Sequence, residues 1–270
     1  MSDEDSVDFD GETLSLRSSG HVAEITLNRP ELMNRFDEPA HHEFLHALQL
    51  VRSSSTTRAI VFASTGDLFS AGGDFDFMLK AHDDLAFLLR HVDVGRGLVR
   101  TMIDNPVPIV AAVQGPAIGL GATVVLCCDA VVAAKSAFLS DPHVPIGLAA
   151  GDGGCLVWPA ALGSMMARRY LLTGDRLPAE RAYQLGLVTD LVDEPGDVIG
   201  AARALAGRIA ALPPIAVQGT KRALNNVMQQ RANEVLDLAF GYEVESVMSE
   251  DLVEAIAAFR EKRPPNYQGR

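Results

Sequence analysis

Residues 106–143, PVPIVAAVQGPAIGLGATVVLCCDAVVAAKSAFLSDPH, decide the fold class. PIVAAVQG (108–115) is a short apolar run that ends on a glycine, as a buried strand does. GLGATVVLCC (119–128) opens on glycines and stays apolar, which fits a buried helix. DAVVAA (129–134) returns as a strand. Strand, glycine loop, helix and strand in that order make an α/β unit.

Working upstream, AIVFAS (59–64) is another short apolar strand, and TGDLFSAGGDF (65–75) is a glycine-rich loop. TLSLRSSGHVAEITLN (13–28) reads as two strands joined at Ser19-Gly20, ended by Pro30. Phe44, Leu45, Leu48 and Val51 share one face of a helix over 38–52. A long amphipathic helix is expected over 83–103, stopped by Asn105-Pro106. Downstream the pattern is largely helical: 152–172, 178–186, 196–211, 213–230, 232–247 and 249–261. Strands with intervening helices followed by helices alone suggest an α/β core (12–195) with a helical C-terminal subdomain (196–270). Residues 1–11, rich in acid, read as a disordered tail.

Composition narrows the function. With 270 residues, 48% of them apolar, the chain can bury a large core. A net charge of −12 argues against a general nucleic-acid binder, although local cations and helix N-termini can still hold an anion. Cys127, Cys128 and Cys155 form no CxxC and sit among apolar residues, as core thiols of a reducing compartment do. The polar, acidic start is unlike a signal or transit peptide, and no apolar run is long enough to span a membrane; a cytoplasmic protein is expected.

Two weak motifs are set aside. His42-Glu43-Phe44-Leu45-His46 fits H-E-x-x-H, but no third zinc ligand follows and the helix needs Phe44, Leu45 and Leu48 for packing. Gly119-x-Gly121 lacks the third glycine of a dinucleotide fingerprint. No metal set is assigned. The chemistry lies in the two glycine loops, 69–74 and 115–121, each following a buried strand. Small residues let backbone approach a ligand, and a helix opening offers free N–H groups. Two such groups converging on one carbonyl oxygen make an oxyanion hole, whereas taken alone the glycines equally fit tight turns.

Over about residues 12–268 the chain resembles the crotonase (enoyl-CoA hydratase/isomerase) superfamily. The resemblance is carried by LNRPE (27–31), FSAGGDF (69–75), residues 106–143, PIGLAAGDGG (145–154), LLTGDRLPAERAYQLGLVTDLV (171–192) and AFREKRPPNYQG (258–269), all collinear. It implies a ββα spiral core, a trimer or dimer of trimers, and an acyl-CoA thioester whose enolate is held by the Gly73 and Leu120 N–H groups. Coenzyme A would enter as part of the substrate, with no bound cofactor. The substrate surface it implies draws on Arg29, Phe36, Ala71, Gly73 and Leu120. Asp74, Phe75 and Asp76 extend it, and Phe259 and Lys262 of the C-terminal tail would touch the CoA moiety.

The departures are chemical. The family's two glutamates fall on Thr123 and His143. Thr123 is no carboxylate base. His143 can take that role near neutral pH, with Asp152 orienting the imidazole. The bland alternative packs His143 away and leaves Asp152 as a helix cap. The Pro-His-x-Pro-x-Gly…Gly-Asp-Gly segment also resembles 6-oxocamphor hydrolase, a superfamily member that cleaves a cyclic β-diketone without CoA. Against that enzyme, Leu120 replaces a histidine, Phe36 a tryptophan, and Glu245 is a weak match to an acidic residue. The expected function is therefore acyl-CoA hydratase or isomerase chemistry with a His143–Asp152 pair. Retro-Claisen hydrolysis of a β-dicarbonyl and non-catalytic CoA binding are the alternatives.

Overall fold

The computed structural model describes residues 7–270. The N-terminal strands are β1 (Phe9–Asp10), β2 (Leu14–Ser19) and β3 (Val22–Leu27). Helix α1 (Glu38–Ser53) and strand β4 (Ala59–Ser64) follow, then helices α2 (Phe75–Asp83) and α3 (Leu85–Asp104). Next come β5 (Ile109–Val113), β6 (Ala117–Ile118), α4 (Leu120–Leu126), β7 (Ala130–Ala134) and β8 (Phe138–Ser140). Helices α5 (Gly154–Leu162) and α6 (Ser164–Thr173) lead to β9 (Leu177–Pro178), α7 (Ala179–Gln184) and β10 (Asp190–Val192). Helices α8 (Val198–Ala210), α9 (Pro214–Val247) and α10 (Glu250–Glu261) complete the chain.

A seven-stranded sheet runs β1-β2-β3-β4-β5-β7-β10. Its first three strands are antiparallel, and the pairs from β3 to β10 are parallel. A small second sheet runs β6-β8-β9. On β2 and β3 burial alternates, with Leu14, Leu16, Ala23, Ile25 and Leu27 inward. On β5 every residue is buried, as expected of a parallel strand covered on both faces.

Several sequence expectations change. Residues 1–6 of the expected disordered tail lie outside the described residues, but Phe9–Asp10 pair with Leu16 and Ser15. Helix α2 fills 76–82, a stretch with no assignment from the sequence; Asp74 starts it by accepting the Phe77 N–H at 2.8 Å. The single helix expected over 152–172 is two, broken at Gly163, whose φ of 73° leaves the right-handed helix. The two helices expected over 213–247 are one of 34 residues, because neither glycine nor proline interrupts 229–233. Strands β8 to β10 are two or three residues long, too short to show a period. The boundary expected at 195/196 separates no cores: α8 packs on β3, β4, β5 and β7. Ala202, Ala206, Leu236 and Phe240 join the same apolar cluster as β4 and β5.

Candidate active site

Two isolated bridges build the site. Phe36 bridges to Gly73, Ser70 bridges to Ala117, and the Ile118 N–H donates to Ser70 O at 2.9 Å. The two glycine loops are thereby pressed together. A Cβ on Gly72 would collide with Ile118 O and lie 3.2 Å from Leu120 N, so the close approach requires glycine. Leu120 is the first residue of α4, where a helix N–H has no intrahelical acceptor. Among the described residues, the Gly73 and Leu120 N–H groups find no acceptor in the protein. Both residues line one cavity of about 100 Å³.

The same cavity takes Phe77 and Met78 from α2, Leu88 and His91 from α3, and Phe240 and Glu243 from α9. His143 and Asp152 also line it, so the two candidate residues do face the space beside Gly73 and Leu120. The pair is not arranged as the sequence suggested. Asp141, two residues before His143 and fully buried, takes the imidazole Nδ1. Asp152 lies on the other side, its Oδ2 3.4 Å from Nε2. Thr123, at the family's first glutamate position, is buried and offers its hydroxyl to Asp152 Oδ1 at 3.4 Å. Asp152 does not act as the cap of α5; Gly153 holds that position without a side-chain bond.

These contacts set the protons. Burial disfavours a charged His143, but the Asp152 and Asp141 carboxylates outweigh it and hold the imidazole pKa well above its ordinary value. Burial would raise Asp152, but the His143 cation keeps it below the usual carboxylate range. Glu243 is the reverse: burial, then the negative charge of Asp152, push it up to about 8. Its Oε2 is buried without a partner among the described residues. Gly151 lets α9 come this close, since a Cβ there would meet Ala239 O and Glu243 Cβ, both at 2.5 Å. Asp141, His143 and Asp152 place ligand-type atoms within 4.8 Å of one another. The two carboxylates sit on opposite ring nitrogens, however, so one ion cannot take all three in the usual in-plane imidazole geometry.

The other residues of the expected substrate surface divide. Phe36 lines the cavity. Arg29 does not: it is buried, and its fork closes on Asp37 at 2.7 and 2.9 Å. Ala71 donates its N–H to Met33 O, Asp74 pairs with Arg35 at 2.6 Å, and Asp76 pairs with Arg260 at 2.6 Å. Phe75 meets Phe259 edge to face, ring centroids 5.2 Å apart. Phe259 and Lys262 are exposed. Glu245 is exposed on an outer groove, so the acidic residue of the site is Glu243, two positions earlier. Glu43 of the set-aside H-E-x-x-H accepts from Thr13 and the Glu12 N–H, a structural role.

Asp141, Glu243, His41 and His91 are site residues that the sequence reading missed. Asp141 had a signal, since it opens the DPH segment (141–143). The others stand alone on helices, and only the fold brings them to the cavity.

Two glycine loops thus bring two N–H groups without protein acceptors and several ionisable side chains to one cavity. The chain belongs to the enoyl-CoA hydratase/isomerase family, the crotonase superfamily, whose pattern matches residues 17–270. It is 30% identical to crotonyl-CoA hydratase of Syntrophomonas wolfei, over 95% of this chain and 98% of that protein. It is 31% identical to 1,2-epoxyphenylacetyl-CoA isomerase of Escherichia coli, over 92% and 95%. An enoyl-CoA hydratase/isomerase crystal structure from Mycobacterium paratuberculosis superposes with a TM-score of 0.88 at 38% identity, covering 92% of this chain and 99% of that one. The mixed α/β architecture with its helical C-terminal region is the crotonase fold. No single described helix is long and apolar enough to cross a membrane.

Proposed function

We propose that this enzyme acts on an acyl-CoA thioester, with the thioester oxygen on the Gly73 and Leu120 N–H groups and a proton moved by Asp152 and Glu243. The observation that carries this is the pair of carboxyl groups in one cavity whose surroundings push their pKa values apart, Asp152 down and Glu243 up to about 8. Such a split assigns a base and an acid at neutral pH. Asp152 is ionised and takes the proton. Glu243 is protonated and gives one. His143, which the sequence suggested as the free base, is held cationic, so its part is to balance the charge on Asp152. Asp141 fixes it in place through Nδ1. The two carboxyls thus do the work of the family's two glutamates from different positions. Enolate charge building on the thioester oxygen is met by preorganised donors, worth about 3–4 kcal/mol for one such donor.

Phe259, packed on Phe75, and Lys262 are exposed and suit the CoA moiety. Lys262→Ala is expected chiefly to raise KM, since it removes ground-state binding. Assembly as a trimer or dimer of trimers goes with this reading. On α9, Leu236, Ala239 and Phe240 are buried within the chain, while Ile215, Leu224, Val227, Leu238 and Tyr242 are exposed. Light scattering that gives a monomer at micromolar concentration removes the oligomer.

A second reading is supported by Asp141–His143–Asp152, an acid–imidazole–acid chain suited to activating water against a β-dicarbonyl. Mass spectrometry of products separates the two. Crotonyl-CoA gaining water, or a 3-enoyl-CoA changing retention at constant mass, supports enolate chemistry on the intact chain. A 3-oxoacyl-CoA or cyclic diketone opened by water at a carbon–carbon bond supports hydrolysis. CoA-ester binding without turnover leaves a binding protein.

A further inference from the structure

Two histidines of the cavity wall are not used by the proton-transfer groups. His41, on α1, is buried, and its Nδ1 lies 2.9 Å from Asp37 O. A carbonyl only accepts, so Nδ1 carries the hydrogen and the neutral ring leaves Nε2 as a bare acceptor. His91, on α3, meets His41 edge to face at 5.1 Å, and its buried Nε2 has no partner among the described residues. Phe77 and Phe87 pack against the His91 ring. Burial lowers the pKa of His41, and burial together with the neighbouring His41, His42 and Lys80 pushes His91 down to about 3. Both rings are therefore neutral at neutral pH. Phe36, Met78, Leu88 and Val92 supply apolar wall around them.

Covering the bare Nε2 of His41 with hydrocarbon costs about 1–3 kcal/mol, so this wall is poorly made for a plain alkyl or alkenyl chain. A neutral imidazole also gives a carboxylate no charge to pair with. We infer that His41 and His91 are specificity-determining residues that select an acyl group bearing a neutral oxygen substituent, a hydroxyl or a ketone, beyond the reacting carbons. A hydroxyl donates to His41 Nε2; a ketone accepts from a ring N–H of His91. The small cavity favours a compact acyl group.

The inference rests on the thioester reading, and the test separates the two. Calorimetry would compare pentanoyl-, 4-hydroxypentanoyl-, 4-oxopentanoyl- and glutaryl-CoA, all of five acyl carbons. The 4-hydroxy or 4-oxo ester is expected to bind at least about tenfold tighter than pentanoyl-CoA, with glutaryl-CoA weakest. His91→Phe keeps the edge-to-face packing and removes the nitrogens. It should bring the ratio towards one while pentanoyl-CoA binds as before or tighter. His41→Phe should do the same where its thermal transition shows it folded; His91→Phe carries the test otherwise. Equal binding of pentanoyl-CoA and both oxygenated esters overturns the inference and leaves the thioester reading standing. So does a preference that survives His91→Phe and, where folded, His41→Phe. Failure of all four esters to bind removes the thioester reading and the inference with it.

Discussion

The turn region 141–152 and the histidine wall on α1 and α3 face one cavity, and they treat an imidazole in opposite ways. Burial works against the charged ring in both. At His143 the carboxylates of Asp141 and Asp152 overcome it. At His91 burial is joined by His41, His42 and Lys80, which all disfavour the charged ring, and it stays neutral down to about pH 3. The lesson is that depth alone does not set a histidine's role; the charge of its immediate partners does. One region is built to hold and move protons. The other is built to hydrogen-bond without charge.

The largest test of that contrast is His143→Ala, which leaves two buried carboxylates facing each other. Steady-state kinetics on a turned-over thioester should show kcat falling by about 10²–10⁴. An unchanged kcat would mean that Asp152 works without the cation the flanked histidine supplies.

Asp141→Asn sharpens the contrast by moving His143 towards the condition of His91. One of its two negative partners is gone, so its pKa should drop, read by NMR titration of the ring protons. The fall in kcat should be smaller than for His143→Ala, because Asp152 keeps its partner. A titration that does not move would place the raised pKa on Asp152 alone.

Glu243→Gln probes the acid. The wild-type kcat profile should lose activity as pH rises through about 8, where Glu243 gives up its proton. In the glutamine variant that alkaline limb should vanish and the maximum should drop. A limb that persists near pH 8 assigns it to another group.

The smallest effect is on stability. Unfolded, His91 takes a proton near pH 6.5; folded, it does so only at about 3. The unfolded state binds more protons in between, so its neutral burial is harmless above about 6.5 and costs stability progressively as pH falls towards 3. His143 has the opposite sign: its raised pKa stabilises the fold below the unfolded value and that contribution is lost as pH rises through the folded one. Chemical denaturation of His91→Phe across pH 4–7 should therefore show a shallower acid-side loss than wild type. An unchanged slope would mean that His91 is not buried neutral in solution.

Much of this was legible before any coordinates. The strand at 59–64 and the two strands within 13–28 show clear apolar runs or alternation, and their expected positions match β4, β2 and β3. The glycine loops at 69–74 and 115–121 announced a close backbone approach, and the placement of Gly72 against Ile118 explains it. The family resemblance singled out His143, and the glycines around Asp152 singled out its partner; both line the cavity. The short strands β8 to β10 and the continuity of α9 escaped, because a three-residue strand shows no period and a surface stretch of a long helix shows no breaker.

The sequence by itself determined the α/β class and the two glycine loops, since each is written in consecutive residues whose propensities and sizes act locally, and its resemblance to the family marked Thr123 and His143 as departures. Tertiary structure alone decided which groups share the cavity. His41 and His91 come from two separate helices, and Glu243 from a helix a hundred residues past His143; nothing in their neighbours along the chain marks them. It also decided the protons. A pKa depends on burial and on charges within a few ångströms in space, and for His143 those charges are Asp141 on one nitrogen and Asp152 on the other.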